Sequence, residues 1–281
     1  MESADPRERV GIVGLGLMGG SIARALKMLD PAPRVTAFTQ DVADARSALQ
    51  EGVLDTIADT PAAAAGDQDL VIYAAPLRVT MELMAGHSGL WGEAAVTDVV
   101  GLKEPLLDQA REQGFADVYV GAHPMVGGTQ SGFAASAKDL FIDGTVWVVR
   151  GDAESRQVER IENLWRSVGA RTRSIAAAEH DRLMVWASHL PQLVATALAR
   201  VLSAQGLDIA DLGAGGLDMT RLALSSSTMW CDLLEVSADQ DVPALRALEQ
   251  ALTVLRAELE AGGVNAVGAM MDQSRAWREG E

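Results

Sequence analysis

Val10–Val13 reads as a short β-branched strand, and the chain behind it turns at once through Gly14-Leu15-Gly16-Leu17-Met18-Gly19 into an Ala- and Leu-rich helix running to Leu29. A Gly-x-Gly-x-x-Gly run is weak evidence by itself, but between a strand and a helix it specifies a phosphate cradle. Gly14 makes the tight turn, Gly16 lets the backbone approach a pyrophosphate, and Gly19 lets the helix pack on the strand. The unsatisfied N–H groups of the first turn, at Leu17, Met18 and Gly19, then face the anion. A chain that begins this way is committed to βαβ architecture and to a dinucleotide.

The pattern continues accordingly. Arg34–Thr39, Asp69–Ala74, Ala95–Val99, Asp117–Gly121 and Thr145–Val149 read as further strands, separated by helical stretches, Ala62–Ala65 among them. Strands spaced by helices predict a mostly parallel sheet with right-handed crossovers, an α/β domain of the Rossmann type. From Ala176 the strand signal stops. Ala176–Ser203, Asp218–Ser237, Val242–Ala261 and Asn265–Trp277 read as helices, and Leu245, Leu248, Leu252 and Leu255 form an apolar stripe at helical spacing, expected to be buried. The expected organisation is a dinucleotide-binding domain over residues 1–175 and an all-α helical domain over residues 176–281, with the boundary near Ser174.

Length and composition fit two modest domains: 281 residues with 48% hydrophobic content. The net charge of −16 argues against nucleic acid as a partner, since its binders present basic patches. Cys231 is the only cysteine, so no internal disulfide and no Cys-rich metal site is expected. The polar start MESADPRERV lacks the apolar segment of a secretory signal, and no apolar stretch is long enough for a membrane span. A cytoplasmic setting is the expectation.

The end of the second strand normally carries an acid for the ribose 2′-hydroxyl. Here that place falls to Thr39, followed by Gln40, and neither repels a 2′-phosphate. Arg46, further along the next helix, is available to such a phosphate or to solvent, and Asp41 takes the acidic role if the register shifts. The cofactor is therefore NAD(P), with a lean to NADP. Ala75 and Pro76, past the third strand, complete the expected cofactor set.

Three further segments carry a resemblance. Gly121-Ala122-His123-Pro124-Met125-Val126-Gly127, with Ser131-Gly132 and Asp139-Leu140-Phe141 behind it, resembles the His-Pro-Met-x-Gly motif of the prephenate/arogenate dehydrogenases. His180-Asp181 with Ser188-His189-Leu190-Pro191, and Thr220-Arg221 with Met229-Trp230 and Asp232, are similar to later motifs of the same family, in the same order. The resemblance implies oxidative decarboxylation of prephenate or a close cyclohexadienyl analogue, a homodimer through the helical domain, and no metal. It implies His123 as proton acceptor, on the loop after a strand. A neutral imidazole suits that task near pH 7.

By the same resemblance His189, Arg221, Thr129 and Gln130 face the substrate, and Lys103 lies near the cofactor or holds its loop. The bland alternatives are a core histidine for His189 and a solvated helix charge for Arg221. Three positions depart from the family's pattern. Gly101 stands where a serine assists the histidine, and Cys231 stands where an arginine binds a carboxylate; Gln130 replaces a glutamate. These departures raise 4-amino-4-deoxyprephenate as an alternative substrate. A catalytically weak nucleotide-binding relative is the alternative of another class. His180 lies nine residues before His189, which on a regular helix puts the two on opposite sides, and His87, outside any motif, reads as a surface residue.

Overall fold

The computed structural model describes residues 7–280; the first six residues of the polar N-terminal segment lie outside this range. Eight strands form one sheet among the described residues. They are β1 (Arg9–Val13), β2 (Arg34–Phe38), β3 (Thr56–Ile57), β4 (Leu70–Tyr73), β5 (Ala95–Asp98), β6 (Tyr119–Pro124), β7 (Thr145–Val149) and β8 (Arg171–Ser174). Their order is β3-β2-β1-β4-β5-β6-β7-β8, so the chain winds outward from β1 to one edge and then from β4 to the other. Every neighbouring pair is parallel except β6 with β7. The switch point between β1 and β4 opens at the carboxyl ends of the strands, where doubly wound sheets bind ligands.

The central strands are apolar throughout because both sheet faces are covered. Val10, Ile12, Leu70 and Ile72 meet helix α1 (Leu17–Leu26) and α6 (Ser155–Ser167) on one face. Val13, Val71, Tyr73 and Val96 meet α3 (Pro61–Ala65), α4 (Leu77–His87) and α5 (Glu104–Gln113) on the other, with α2 (Val42–Gln50) flanking β2. His87 belongs to this second core and not to the surface. It is buried, with Nδ1 2.9 Å from the Tyr73 hydroxyl. Trp91 Nε1 donates to that hydroxyl at 3.1 Å, so the single phenolic hydrogen is free to donate to His87. Burial lowers the His87 pKa below the ordinary imidazole value.

The helical part starts with α7 (Ala177–Met184), passes through a π-helical turn at Val185–His189 and continues as α8 (Leu190–Ala204). Pro191, near the start of α8, removes a backbone donor at a place where the hydrogen-bond ladder has already slipped to the wider π register. After α9 (Ala214–Thr220) comes α10 (Ser227–Glu260), then α11 (Val264–Glu279). The sequence suggests separate helices over Asp218–Ser237 and Val242–Ala261; instead the first is interrupted at Arg221–Leu224 by a 3₁₀ turn, and α10 is one helix of 34 residues that spans residues 238–241 and runs through Pro243. Asp241 and Ala244, either side of that proline, are both buried, and their packing carries the helix past the missing donor.

The stripe on α10 is not buried within one chain. Leu252 and Leu255 are exposed, and Leu259, Val264, Met271 and Trp277 extend the apolar surface onto α11. No helix among the described residues is long and apolar enough to cross a membrane.

Candidate active site

The glycine-rich turn has the form a pyrophosphate needs. Gly14 adopts φ +107°, and a Cβ there would lie 2.4 Å from the Ala74 carbonyl oxygen. A Cβ on Gly19 would lie 1.9 Å from the Gly14 oxygen, so these two glycines are required by the chain's own packing. Gly16 differs: a Cβ there meets nothing within 4 Å. Its open side faces the start of α1, whose N-cap has no side-chain hydrogen bond. Backbone donors of Leu17, Met18 and Gly19 beside an open approach fit a dinucleotide phosphate.

The register of β1 with β2 pairs Val13 with Phe38, and the Gly14 N–H donates to the Phe38 oxygen at 2.9 Å. Thr39 is therefore the first residue beyond the strand, beside the cradle. Its hydroxyl accepts from the Asp41 N–H, while Asp41 caps α2 by accepting from Ala43 and Asp44. That cap engages Oδ1 of Asp41, and Thr39 and Gln40 follow β2 beside the glycine-rich turn. Ala75 and Pro76 follow β4 across the switch point, where the Thr80 hydroxyl donates to the Ala75 oxygen at 3.0 Å.

His123 lies inside β6 and not on a loop after it. It pairs with Trp147 across the antiparallel β6–β7 ladder, which extends β6 beyond Gly121 as far as Pro124. The chain then folds back over the first two helices. Phe133 N–H donates to Asp44 at 3.0 Å, Ala137 N–H donates to the Ser21 hydroxyl at 2.9 Å, and Arg24 lies over the Phe133 ring. The His-Pro-Met segment is thereby tied to the cofactor cradle. Thr129 is half-buried and Gln130 exposed on this fold-back.

Around His123 the two halves of the chain meet. Its Nδ1 lies 3.0 Å from His180 Nε2, and His180 Nδ1 lies 2.7 Å from Asp181 Oδ1. Asp181 also accepts the backbone N–H groups of Lys103, at 2.8 Å, and Glu104, at 2.9 Å, which open α5. Burial foremost, then the nearby charges of His180, Lys103 and His189, hold the His123 pKa well below the ordinary imidazole value. The ring is thus neutral near pH 7. A Cβ on Gly101 would stand 3.8 Å from His123 Cε1, with Leu233 filling the space beyond.

The Lys103 side chain is fully buried, and its ammonium is bonded to Asp98 and to the Ala122 oxygen, which ties the end of β5 to β6 beneath His123. Tyr119 donates to the other Asp98 oxygen at 2.6 Å.

His189 forms a second couple, with Nδ1 2.9 Å from Asp241 Oδ1, while Ser237 donates to Oδ2 at 2.6 Å. Its ring meets Trp230 edge-on at 5.6 Å, and the buried Trp230 Nε1 has no hydrogen-bond partner. The expectation that His180 and His189 face opposite sides assumed a regular helix, and a π turn, whose residues advance through a smaller angle than in an α turn, lies between them. His180 meets His123, while His189 meets Asp241 and Trp230.

His180 and Trp230 stand in the motifs quoted above but were given no role there; His180 meets the His123 ring and Trp230 the His189 ring. Arg221, on a single 3₁₀ turn, and Cys231, on the first turns of α10, are both exposed in the isolated chain.

Comparison with known proteins agrees with this geometry along the whole chain. Residues 22–174 match the family described as prephenate dehydrogenase, nucleotide-binding domain, and residues 176–273 match prephenate dehydrogenase, dimerization domain. A prephenate dehydrogenase from Bacillus subtilis is 33% identical over 83% of this chain and 65% of its own length. The chain thus spans just under two thirds of that relative. A cyclohexadienyl dehydrogenase from Zymomonas mobilis is 28% identical over 85% of this chain and 84% of its own. Among solved structures, prephenate dehydrogenase from Aquifex aeolicus, in complex with hydroxyphenyl propionate and NAD+, superposes with a TM-score of 0.88 at 23% identity, covering 99% of both chains. The two family matches together run from residue 22 to residue 273, and the chain is a member of the prephenate dehydrogenase family.

Proposed function

We propose that the protein is a nicotinamide-dinucleotide-dependent dehydrogenase that oxidatively decarboxylates prephenate or a close cyclohexadienyl analogue. The observation that carries this reading is His123, a neutral, half-buried imidazole near the carboxyl ends of the parallel strands, tied through its own segment to the helices behind the glycine-rich turn. The nicotinamide, when bound, accepts the hydride from C4 of the ring. His123 takes the proton of the C4 hydroxyl as that oxygen becomes a carbonyl. Loss of the ring carboxylate as CO2 then returns the bonding electrons to the ring, and the oxygen of the aromatic product recovers the proton from His123. The protein positions the ring and holds one proton; aromatisation drives the rest. Prephenate, arogenate and 4-amino-4-deoxyprephenate, each offered with NAD and with NADP, test the reading by the absorbance of reduced cofactor. A chain that binds dinucleotide but reduces it with none of the three is the non-catalytic relative.

The 4-amino analogue is favoured as an alternative by one observation: no hydroxyl stands at Gly101, where it would touch the His123 ring. Gly101→Ser with Cys231→Arg should raise activity on prephenate more than on the analogue. A wild-type protein that already turns over prephenate well, with the analogue inert, refutes that preference.

For the cofactor, uncharged Thr39 and Gln40 beside the cradle support NADP. Thr39→Asp should swing preference toward NAD, because a carboxylate repels a 2′-phosphate and accepts from the ribose hydroxyl. An unchanged NADP:NAD ratio in kcat/KM would place the ribose elsewhere. The exposed apolar surface of α10 and α11, with Trp277 80% exposed, supports a homodimer through the helical half. Light scattering at micromolar concentration should give twice the chain mass of 29.6 kDa; a monomer mass would remove the dimer.

A further inference from the structure

We infer that His180 is a positioning residue for His123: anchored by Asp181, it fixes the tautomer in which the Nε2 lone pair of His123 is left free for the substrate's proton. The inference rests on the dehydrogenase reading above and adds a residue to it. The argument follows the donors and acceptors along the chain of three side chains. The Asp181 carboxylate has no hydrogen to give and already accepts the N–H groups of Lys103 and Glu104. The 2.7 Å bond at His180 Nδ1 is therefore donated by the imidazole. A neutral imidazole has one N–H, so His180 Nε2 carries a lone pair. Across the 3.0 Å gap the donor must be Nδ1–H of His123, and Nε2 of His123 is its remaining acceptor. The two rings are inclined at 72° with centroids 5.1 Å apart, so they meet through their nitrogens and not as a stack.

The other charged groups around the pair are committed elsewhere. Lys103 is bonded to Asp98 and the Ala122 oxygen, Tyr119 donates to Asp98, and His189 is bonded to Asp241. None of these contacts occupies Nδ1 of His123.

The consequence is electrostatic as well as geometric. When the substrate O–H bond breaks and an N–H bond forms at Nε2, His123 becomes an imidazolium. Its Nδ1–H then points at an imidazole that is itself hydrogen-bonded to a carboxylate. The charge of Asp181 stabilises the imidazolium from one ring away, although Asp181 touches neither His123 nor the substrate. Without His180, Nδ1 loses its acceptor and the proton distributes between both nitrogens. Half-correct tautomers and a freely turning ring lower kcat without touching the dinucleotide cradle. Loss of the correct histidine tautomer in other enzymes costs up to about 10⁴-fold in kcat.

Nitrogen NMR of the ¹⁵N-histidine-labelled protein tests this directly, because the chain has only four histidines to assign. At pH 8 the expected spectrum shows His123 protonated at Nδ1 and bare at Nε2. His180→Phe should lower kcat by roughly 10²-fold or more with dinucleotide affinity unchanged, and should give His123 a mixed tautomer. His180→Gln supplies an amide N–H for Asp181 and an amide oxygen for His123, and should restore kcat to within about tenfold of the parent. A merely structural histidine would instead show both variants with equal kcat losses and matching losses of thermal stability. That result overturns the inference, as does His123 protonated at Nε2 in the parent, or His180→Phe with parental kcat. A parent protein inactive on every cyclohexadienyl substrate, yet with the expected spectrum, overturns the dehydrogenase reading and upholds the tautomer assignment.

Discussion

Replacing His123 with asparagine is expected to lower turnover by roughly 10²–10⁴-fold, the usual contribution of a general base, while dinucleotide affinity stays close to the parent's. The separation follows from geometry. His123 is carried by β6, whereas the phosphate cradle is carried by the β1–α1 turn, and the asparagine is small enough to occupy the imidazole's place in the β6–β7 ladder. The parent's pH profile gives a second reading. Only neutral His123 accepts a proton, so kcat rises with pH through its pKa. Burial and three neighbouring cationic or potentially cationic groups depress that pKa. The rising limb therefore lies on the acid side of the ordinary imidazole value of about 6.5, and the rate is flat at neutrality. The variant should lose the limb along with the rate. A limb centred above neutrality, or near-parental turnover in the variant, removes His123 from the chemistry.

Much of this site could be read before the fold was seen, and the failures have physical causes. β1, β2, β4, β5 and β7 declare themselves as β-branched runs because they are buried on both faces. β3 is two residues long, and β8, Arg-Thr-Arg-Ser, is a polar edge strand; neither has an apolar pattern to find. β6 looks finished at Gly121 because Pro124 reads as a stop, yet proline is tolerated at the end of a strand where the ladder is closing. The placement of His123 on a loop failed for that reason.

The π turn is invisible to periodicity, since nothing in hydrophobicity encodes whether a donor reaches back four residues or five. Assuming a regular helix there gave no hint of the contact between His180 and His123. The stripe of Leu252 and Leu255 was legible as apolar, but sequence alone does not say whether the same chain covers it. Gly101 stands beside the His123 ring and His189 is buried against Asp241 and Trp230, whereas Arg221, Cys231 and Gln130 stay exposed in a single chain.

The second large effect expected is on folding and comes from Lys103. Its ammonium and the Asp98 carboxylate are both fully shielded from water and bonded to one another. Removing one partner of such a pair costs about 3–5 kcal/mol, because the other is left as an uncompensated buried charge. Lys103→Met keeps an unbranched stem one atom shorter and deletes the ammonium with its bonds to Asp98 and the Ala122 oxygen. Asp98 would retain the Tyr119 hydroxyl and the Val100 N–H, at 2.6 and 2.7 Å, which offset part of the loss. Against a total stability of about 5–15 kcal/mol for an ordinary domain, the remaining deficit is large. Urea denaturation should show a much lower midpoint.

Adding Asp98→Asn to Lys103→Met removes the stranded charge while keeping an acceptor for the Val100 N–H, so the double variant should be more stable than Lys103→Met alone. That ordering separates a buried ion pair from a lysine whose stem merely fills space. It also distinguishes the two roles expected for Lys103. A lysine that reaches for the dinucleotide would, when replaced, weaken cofactor binding and leave the urea midpoint where it was. The hydrogen bond from Lys103 to the Ala122 oxygen, one residue before His123, predicts the opposite: a destabilised β6, a displaced His123, and a cofactor cradle at β1 that still binds its phosphates.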